Sequence, residues 1–433
     1  MPRAPRARGR GRGRGRGTGR PSISRPATSP SPSPSPIPSE DDPRPPFFGT
    51  TFSTHRVSPL HIGDQADDAA LHALAGRLRD TLIGDVVRGV YVGLEPGQGE
   101  LGKAGSLEGV ALRWVSMAHV LEKEEHERRE RSMDLSSNAP AGGEGLGAYA
   151  AKRGIWIDIQ YENAECTGIL LPDLSGEDEK DLLAQTWAAR GGKVDQSRFV
   201  QLPLLLLRMP AALKSIVIEW LSSAFDCRIS SLTLGTRSLV GTLERWLADA
   251  VLPSGGVSGK DIVLTLGFSL PQLQAPAPDG DNEDDDDVEE PEKVPVGLRS
   301  LDVTIPGGDV QRFLEAGEAM AAEPQQTRPT PWAGDAKSRK WLAGGNDDDG
   351  WAWKVDGGAM RQPFVDAVAR YLDGHLALNL FHPSVRITKV ATPGFVLTES
   401  RVKIFATEEA GSARALLGDV TARSRGPEIS NVF

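Results

Sequence analysis

This chain has little that would place it in a membrane, in a disulfide scaffold or in a familiar enzyme class. No apolar run approaches the roughly 20 residues that cross a bilayer, and no apolar segment follows the basic N-terminus. A soluble, intracellular protein is the expectation. Cysteine is scarce: Cys166 and Cys227 are the only two. Two thiols exclude a disulfide framework and fit a reducing compartment. Hydrophobic residues make up only 39% of the chain, against 48 glycines and 32 prolines. That balance predicts long stretches that bury too little to fold.

Catalytic signatures are missing too. There is no G-x-x-x-x-G-K-[ST] loop and no G-x-S-x-G elbow, so neither a phosphate cradle nor an exposed serine nucleophile is legible. Gly93–Gly105 follows an extended stretch but opens no helix that would aim amides at a phosphate. Among seven histidines, His55 and His61 are six apart in an extended segment, and His375 and His382 straddle a helix–strand junction. Neither pair has a third ligand at metal spacing. Cys227, just after an apolar helix, reads as a buried inert thiol. Asp347-Asp348-Asp349, flanked by glycine, reads as a solvated turn. The residues point to no enzyme, no cofactor and no metal.

What is present is a strongly uneven charge. The formal net charge is −10, but Met1–Pro45 carries ten Lys/Arg against three Asp/Glu, while Asp279–Glu292 holds ten carboxylates. The first 45 residues are Arg-Gly alternation and then Ser-Pro repeats, a composition that stays disordered. Arg8, Arg10, Arg12, Arg14, Arg16 and Arg20 are candidate nucleic-acid-binding residues, able to neutralise phosphates or enter a minor groove. The plainer role for such an arm is a solubilising tail. Pro271–Pro295 reads as a disordered acidic loop.

Between these segments the pattern alternates. Phe47–Leu60 is aromatic and Thr-rich, a first strand. Asp67–Ile83 repeats Leu71, Leu74, Leu78 and Leu82 at helical spacing and stops at Gly84. Strands follow at Val86–Leu94 and Leu107–Val115, then a solvated Glu122–Arg131 and a Gly/Ala-rich Ala139–Gly147. Gly154–Tyr161 sets Ile155, Ile157 and Ile159 against Trp156, Asp158 and Gln160, a half-buried strand. Helices are predicted at Glu177–Ala189, Ala211–Phe225, Leu239–Val251 and Asp309–Ala322. Strands are predicted at Phe199–Leu207, Asp261–Leu270 and Gly297–Ile305, with a polar, Trp-containing loop over Glu323–Gly358. No repeat of 20–50 residues is present. This irregular mixture predicts an α+β fold of mainly antiparallel sheets with helices on one face, and parallel βαβ winding is the alternative.

The best-formed unit is Pro363–Phe405. Pro363 suits a first helical position, and Phe364, Val365, Val368, Tyr371 and Leu372 form one apolar stripe. Val385–Val390 and Gly394–Phe405 follow as strands around a Thr-Pro-Gly turn. In the second strand Val396, Val402 and Ile404 fall on one parity, and Arg401, Lys403 and Phe405 on the other. After Phe405 the chain turns small and polar, so this strand is expected at a sheet edge.

Three stretches resemble a known family: FFGTTFSTHRVSPL (residues 47–60), RLRDTLIGDVVRGVYVGL (77–94) and YLDGHLALNLFHPSVRITKVATPGFVLTESRVKIF (371–405). They are similar to the fungal branch of the CENP-L family of inner-kinetochore proteins and frame the body from first strand to last. The resemblance implies a non-enzymatic α+β protein with a curved antiparallel sheet backed by helices. It implies a heterodimer with a CENP-N-like protein, made largely through the C-terminal part. Contacts with other inner-kinetochore subunits and with the centromeric nucleosome and its DNA are implied as well. The location would be the nucleus, at the centromere. Combined with the expected edge, the resemblance marks Val396, Arg401, Lys403 and Phe405 as partner-binding residues. The expected organisation is a disordered arm (1–45), an N-terminal α+β part (46–270), the acidic insert (271–296), a C-terminal α+β dimerisation part (297–405) and a tail (406–433). Two other readings of the residues stay open. One is an Arg-Gly-armed RNA- or chromatin-associated protein unrelated to the kinetochore, the other an enzyme whose site is not legible.

Overall fold

The computed structural model describes residues 47–63, 67–87, 104–117, 120–121, 152–174, 198–250, 260–268, 298–322, 334–342, 350–355, 361–405 and 410–425. All of these lie in one compact unit, Pro45–Phe433. The predicted strand at Val86–Leu94 (beyond residue 87), the segments Glu122–Arg131 and Ala139–Gly147, the helix at Glu177–Ala189 and the acidic insert lie outside the described residues, as does the arm.

The frame of the molecule is one antiparallel sheet. Its strands are β1 (Thr51–Val57), β3 (Leu107–Ser116), β4 (Arg153–Tyr161), β5 (Ala164–Leu171), β7 (Leu204–Arg208), β8 (Ile229–Ser231), β9 (Ile262–Phe268), β10 (Ser300–Ile305), β11 (Val385–Ala391), β12 (Phe395–Thr398) and β13 (Arg401–Ile404). The spatial order is β10-β9-β11-β12-β13-β1-β7-β5-β4-β3, with β8 added to β1. A separate two-stranded ribbon joins β2 (Leu60–His61) to β6 (Phe199–Val200). The first strand, β1, therefore sits mid-sheet and ties the start of the folded body to its end and its middle: Phe52 opposes Val402, and Thr54 opposes Leu206. The α+β expectation holds.

Two hydrophobic cores lie on opposite faces. The larger takes Trp156, Ile169, Leu204 and Leu206 from one side of the sheet and runs on under Leu264, Ile387, Leu397 and Val402. It is covered by α3 (Thr236–Ala250), α4 (Val310–Ala322), α7 (Pro363–Leu376) and α8 (Ala410–Ser424). The smaller takes the alternate residues Ile155, Ile157, Ile159, Leu205 and Leu207, under α1 (Asp68–Val87) and α2 (Ala211–Ala224). Because side chains alternate along a strand, β4 and β7 bury both parities only where helices lie on both faces. Helices thus cover both faces in part of the sheet, rather than one face throughout. Trp156, read from sequence as the polar-side partner of the isoleucines, is 2% exposed.

Helix α7 shows how sequence becomes packing. Pro363 occupies its first turn, and Phe364, Val365, Val368 and Leu372 are buried. Burial of each such side chain contributes about 1.5–3 kcal/mol. Tyr371, on the predicted stripe, instead lies at the rim against Phe313. Gly317 of α4 is where α7 comes closest: a Cβ there would lie 1.8 Å from the Pro363 carbonyl oxygen. Only glycine permits that approach.

Several expectations need correction. Gly84 does not end α1, which continues through Val86 and Val87 as helix. A lone glycine costs a helix only about 1 kcal/mol, and Leu78 and Leu82 hold this one to the core. The polar loop at Glu323–Gly358 carries two short helices, α5 (Ala336–Leu342) and α6 (Ala352–Val355). It also plants Trp351 and Trp353 in the larger core, where the Trp351 indole N–H donates to the Val385 carbonyl at 3.0 Å. Residues 406–433 include α8, whose Leu416, Leu417 and Val420 are buried.

Candidate functional site

The segment Gly394–Phe405 is not one strand at an edge. A turn at Glu399-Ser400 divides it into β12 and β13, and β13 is held on both sides, by β12 and by β1. Among the described residues the strand order ends at β10 and β3, and β8 lies off it with β1 as its partner. The reversal at the turn also corrects the parity. Val396 lies opposite Lys403, facing away from the larger core, while Val402 and Ile404 face into it with Phe395 and Leu397.

One cross-strand row shows what this outward face is. It runs Leu112, Ile157, Gly168, Leu207, Ser53 and Arg401 from β3 to β13. It resumes at Thr398, Lys389, Thr265 and Asp302 from β12 to β10. The first four residues are buried beneath α1 and α2, Ser53 is half-buried, and Arg401 is exposed. Among the described residues, cover therefore stops at β1. Beyond it the same face presents Arg401 and Lys403 on β13, Val396 and Thr398 on β12, and Arg386, Lys389 and Ala391 on β11, all partly or fully exposed. Four cations stand there against Asp302, whose carboxylate accepts the Thr265 hydroxyl at 2.6 Å.

All four of the expected partner-binding residues come together in this region. Lys403 Nζ lies 5.1 Å from the centroid of the Phe405 ring, a cation–π contact, and the Phe405 N–H donates to the Gly394 carbonyl at 2.9 Å. Arg386 and Lys389 were not foreseen; their alternation with the buried Ile387 in β11 is the signal that could have found them. At the border, α2 contributes Lys214, whose pKa is lowered first by burial and then by the nearby Arg401 charge. His55, one row further in, is buried and hydrogen-bonds Ser53 Oγ at 3.2 Å. Burial, then the Lys214 charge, pushes its pKa down to about 4, so the imidazole is neutral.

The other chemically capable side chains have structural surroundings. His61 packs on Phe199 at 5.1 Å and His375 on Tyr371 at 4.3 Å. His382 Nδ1 accepts the Ser384 N–H at 3.1 Å. Burial pushes both thiols up to about 11, which leaves them protonated and unreactive at neutral pH. No group of three or more His, Cys, Asp or Glu suited to a metal occurs among the described residues. No helix among them is long and apolar enough to cross a membrane. Arg8, Arg10, Arg12, Arg14, Arg16 and Arg20, and the Asp347–Asp349 turn, lie outside the described residues.

No individual curated protein matches the chain. A family model does: Centromere protein L, CENP-L, over residues 46–425 of 433. The match takes in both halves of the sheet, the cover helices and α8, and it is to the family as a whole. With almost the entire folded body matched, the chain belongs to the CENP-L family, centromere proteins that form part of the inner kinetochore and are a structural rather than an enzymatic family.

Proposed function

We propose that this protein is an architectural subunit that pairs with a CENP-N-like partner and helps anchor the kinetochore to centromeric chromatin. The observation that carries the reading is the open sheet face beyond Ser53. The larger core fully occupies one side of β12 and β13, yet their other side carries Val396, Arg401, Lys403 and Phe405 without a covering helix among the described residues. Aromatic and basic groups set around a small apolar centre suit a protein interface, where Arg and aromatic side chains are enriched. In this reading the partner sits on β12–β13 and the arginines of the N-terminal arm add sequence-independent affinity for DNA. Other inner-kinetochore subunits join around the pair, in the nucleus.

The test uses the full chain, a variant with Arg401→Glu and Lys403→Glu, and a chain lacking residues 1–45. The double charge reversal should leave melting unchanged but reduce co-purification of a CENP-N-like subunit at least tenfold, about 1.4 kcal/mol. Removing the arm should lower DNA affinity and flatten its dependence on salt, because fewer counterions are released. Full partner retention by the folded double variant would place the interface elsewhere. An unchanged salt slope would show the arm to be inert.

A further inference from the structure

The basic face beyond β1 is built in a way that narrows what can occupy it. Each of its strands has a neighbour on both sides: β9 lies between β10 and β11, β11 between β9 and β12, β12 between β11 and β13, and β13 between β12 and β1. Their backbone groups pair within the sheet, so an occupant is held by side chains and not by adding a strand. The charged side chains are almost all of one sign. Arg386, Lys389, Arg401 and Lys403 stand there against Asp302, whose carboxylate the Thr265 hydroxyl engages. They are also ordered across the sheet. Arg386 lies opposite Gly267, and Gly267 opposite Ser300. One row on come Lys389, opposite Thr265 and Thr398, and Arg401, whose N–H donates to Thr398 Oγ1 at 3.0 Å. Lys403 and Val396 form the row after that.

The row of Arg386 is also where the chain leaves the sheet and returns to it. Phe268 ends β9, Ser300 opens β10, and residues 269–299 join them. Within that connection Asp279–Glu292 carries ten carboxylates. Ten residues precede the acidic run and seven follow it, enough to span up to roughly 33 Å and 23 Å. From β9 to β13 is three strand spacings, about 14 Å. The run therefore reaches Arg386, Lys389 and Arg401 from its own roots. A tether of this kind gives an effective concentration around 1 mM, against roughly 10⁻⁴ M or tighter for sequence-independent binding of a polyanion such as DNA to basic groups. We infer that Asp279–Glu292 is the resident occupant of this face, its carboxylates paired with Arg386, Lys389 and Arg401. Val396, in the following row, is left uncovered. The acidic run is then a built-in competitor: a polyanion or an acidic partner segment gains the face only by displacing it. This goes beyond the CENP-N-like pairing and holds whether or not that pairing uses the same strands.

Carbodiimide coupling of the full chain, read by mass spectrometry, tests the contact directly, because it joins only carboxylates and amines that already touch. Amide links from Asp279–Glu292 to Lys389 are expected at low salt, within single chains. They should vanish at about 1 M salt, where the Debye length is about 3 Å. Met1–Pro45 contains no lysine, so links to lysine do not report on the arm. A labelled peptide of ten glutamates, followed by fluorescence anisotropy, tests the competition. Replacing Asp279–Glu292 with glycine and serine should tighten its binding about tenfold or more. Adding Lys389→Glu and Arg401→Glu should abolish that gain. Absence of links to Lys389 overturns the inference, as does an unchanged peptide affinity. A gain that survives the two reversals would pair the insert with the arginines of the arm instead, and would overturn it too. The links are read on the unaltered chain, so the outcome does not depend on a variant folding.

Discussion

Among the described residues, the half of the sheet built from β4, β5 and β7 is covered on both faces and the half built from β9 and β11–β13 on one. In the first half apolar residues fill both parities: Leu204, Leu205, Leu206 and Leu207 are all at most 1% exposed. In the second half the strands alternate, with Ile387, Leu397 and Val402 buried and Arg386, Val396 and Lys403 not. The same backbone ladder supports both, so the difference lies in the residues at the outward parity. Where those are aliphatic, α1 and α2 dock on them. Where they are basic or polar, no helix among the described residues covers them. Within one sheet, a face covered by helices gives way at β1 to one that carries basic and polar side chains.

The largest effect is expected from Val402→Asp. Val402 is fully buried, opposite Phe52 on one side and Leu397 on the other. An unpaired carboxylate there costs several kcal/mol, comparable to a domain's whole stability of roughly 5–15 kcal/mol. The soluble, cooperatively melting species should be lost. Recovery of a normally melting protein would mean that the single cover layer over this half can open without consequence.

How much of this was legible in sequence follows from the same contrast. The alternating strands were readable because one parity is wet: Val385–Val390 and Asp261–Leu270 were placed within a few residues. The doubly buried strands were harder. In AECTGILL, β5, neither parity is consistently polar, so no period of two appears and the strand went unread. Helix α8 was missed for a related reason, since its small residues and alternating charges mask Leu416, Leu417 and Val420. For the candidate site, the residues were found but their setting was not. A two-residue turn at Glu399-Ser400 carries no glycine or proline, and overlooking it turned a hairpin into one long strand. That reversed the parity of Val396 and put an internal strand at an edge.

A milder test compares truncations to alanine on the same outward face. Ile157→Ala removes a side chain with no exposed surface, held between β3 and β5 beneath the smaller core. It should cost about 2–5 kcal/mol in denaturant unfolding, because a cavity remains. Val396→Ala, on the open half, should cost less than about 1 kcal/mol, in the range of exposed strand substitutions. Similar losses at the two positions would show that something covers the open face in the isolated chain, and the distinction between the halves would fail.

The smallest effect concerns how a single cover layer is fastened. Over the open half, α3 is tied to α7 by Glu244, whose carboxyl accepts the N–H groups of Phe364 at 3.4 Å and Val365 at 2.9 Å, donors that a helix start leaves unpaired. Asp366 and Lys354 flank the site and pair with each other. Burial dominates and pushes the Glu244 pKa up from 4.5 to about 8, opposed by those two backbone donors. In the folded state the group keeps its proton across a range where the unfolded chain has lost it. Folded molecules then bind more protons than unfolded ones, so this group's contribution to stability is complete below about pH 4.5 and declines as pH rises through about 8. Asp419, raised to about 6 mainly by burial, adds a slope of the same sign over a lower range. Glu244→Gln keeps the shape and one acceptor but cannot ionise. Melting temperatures of wild type and variant should nearly coincide at pH 5 and diverge by pH 8, with the wild type showing the steeper loss. Parallel curves would mean that Glu244 is ionised in the folded protein, stabilised by the α7 N-terminus and Lys354 rather than neutralised by burial.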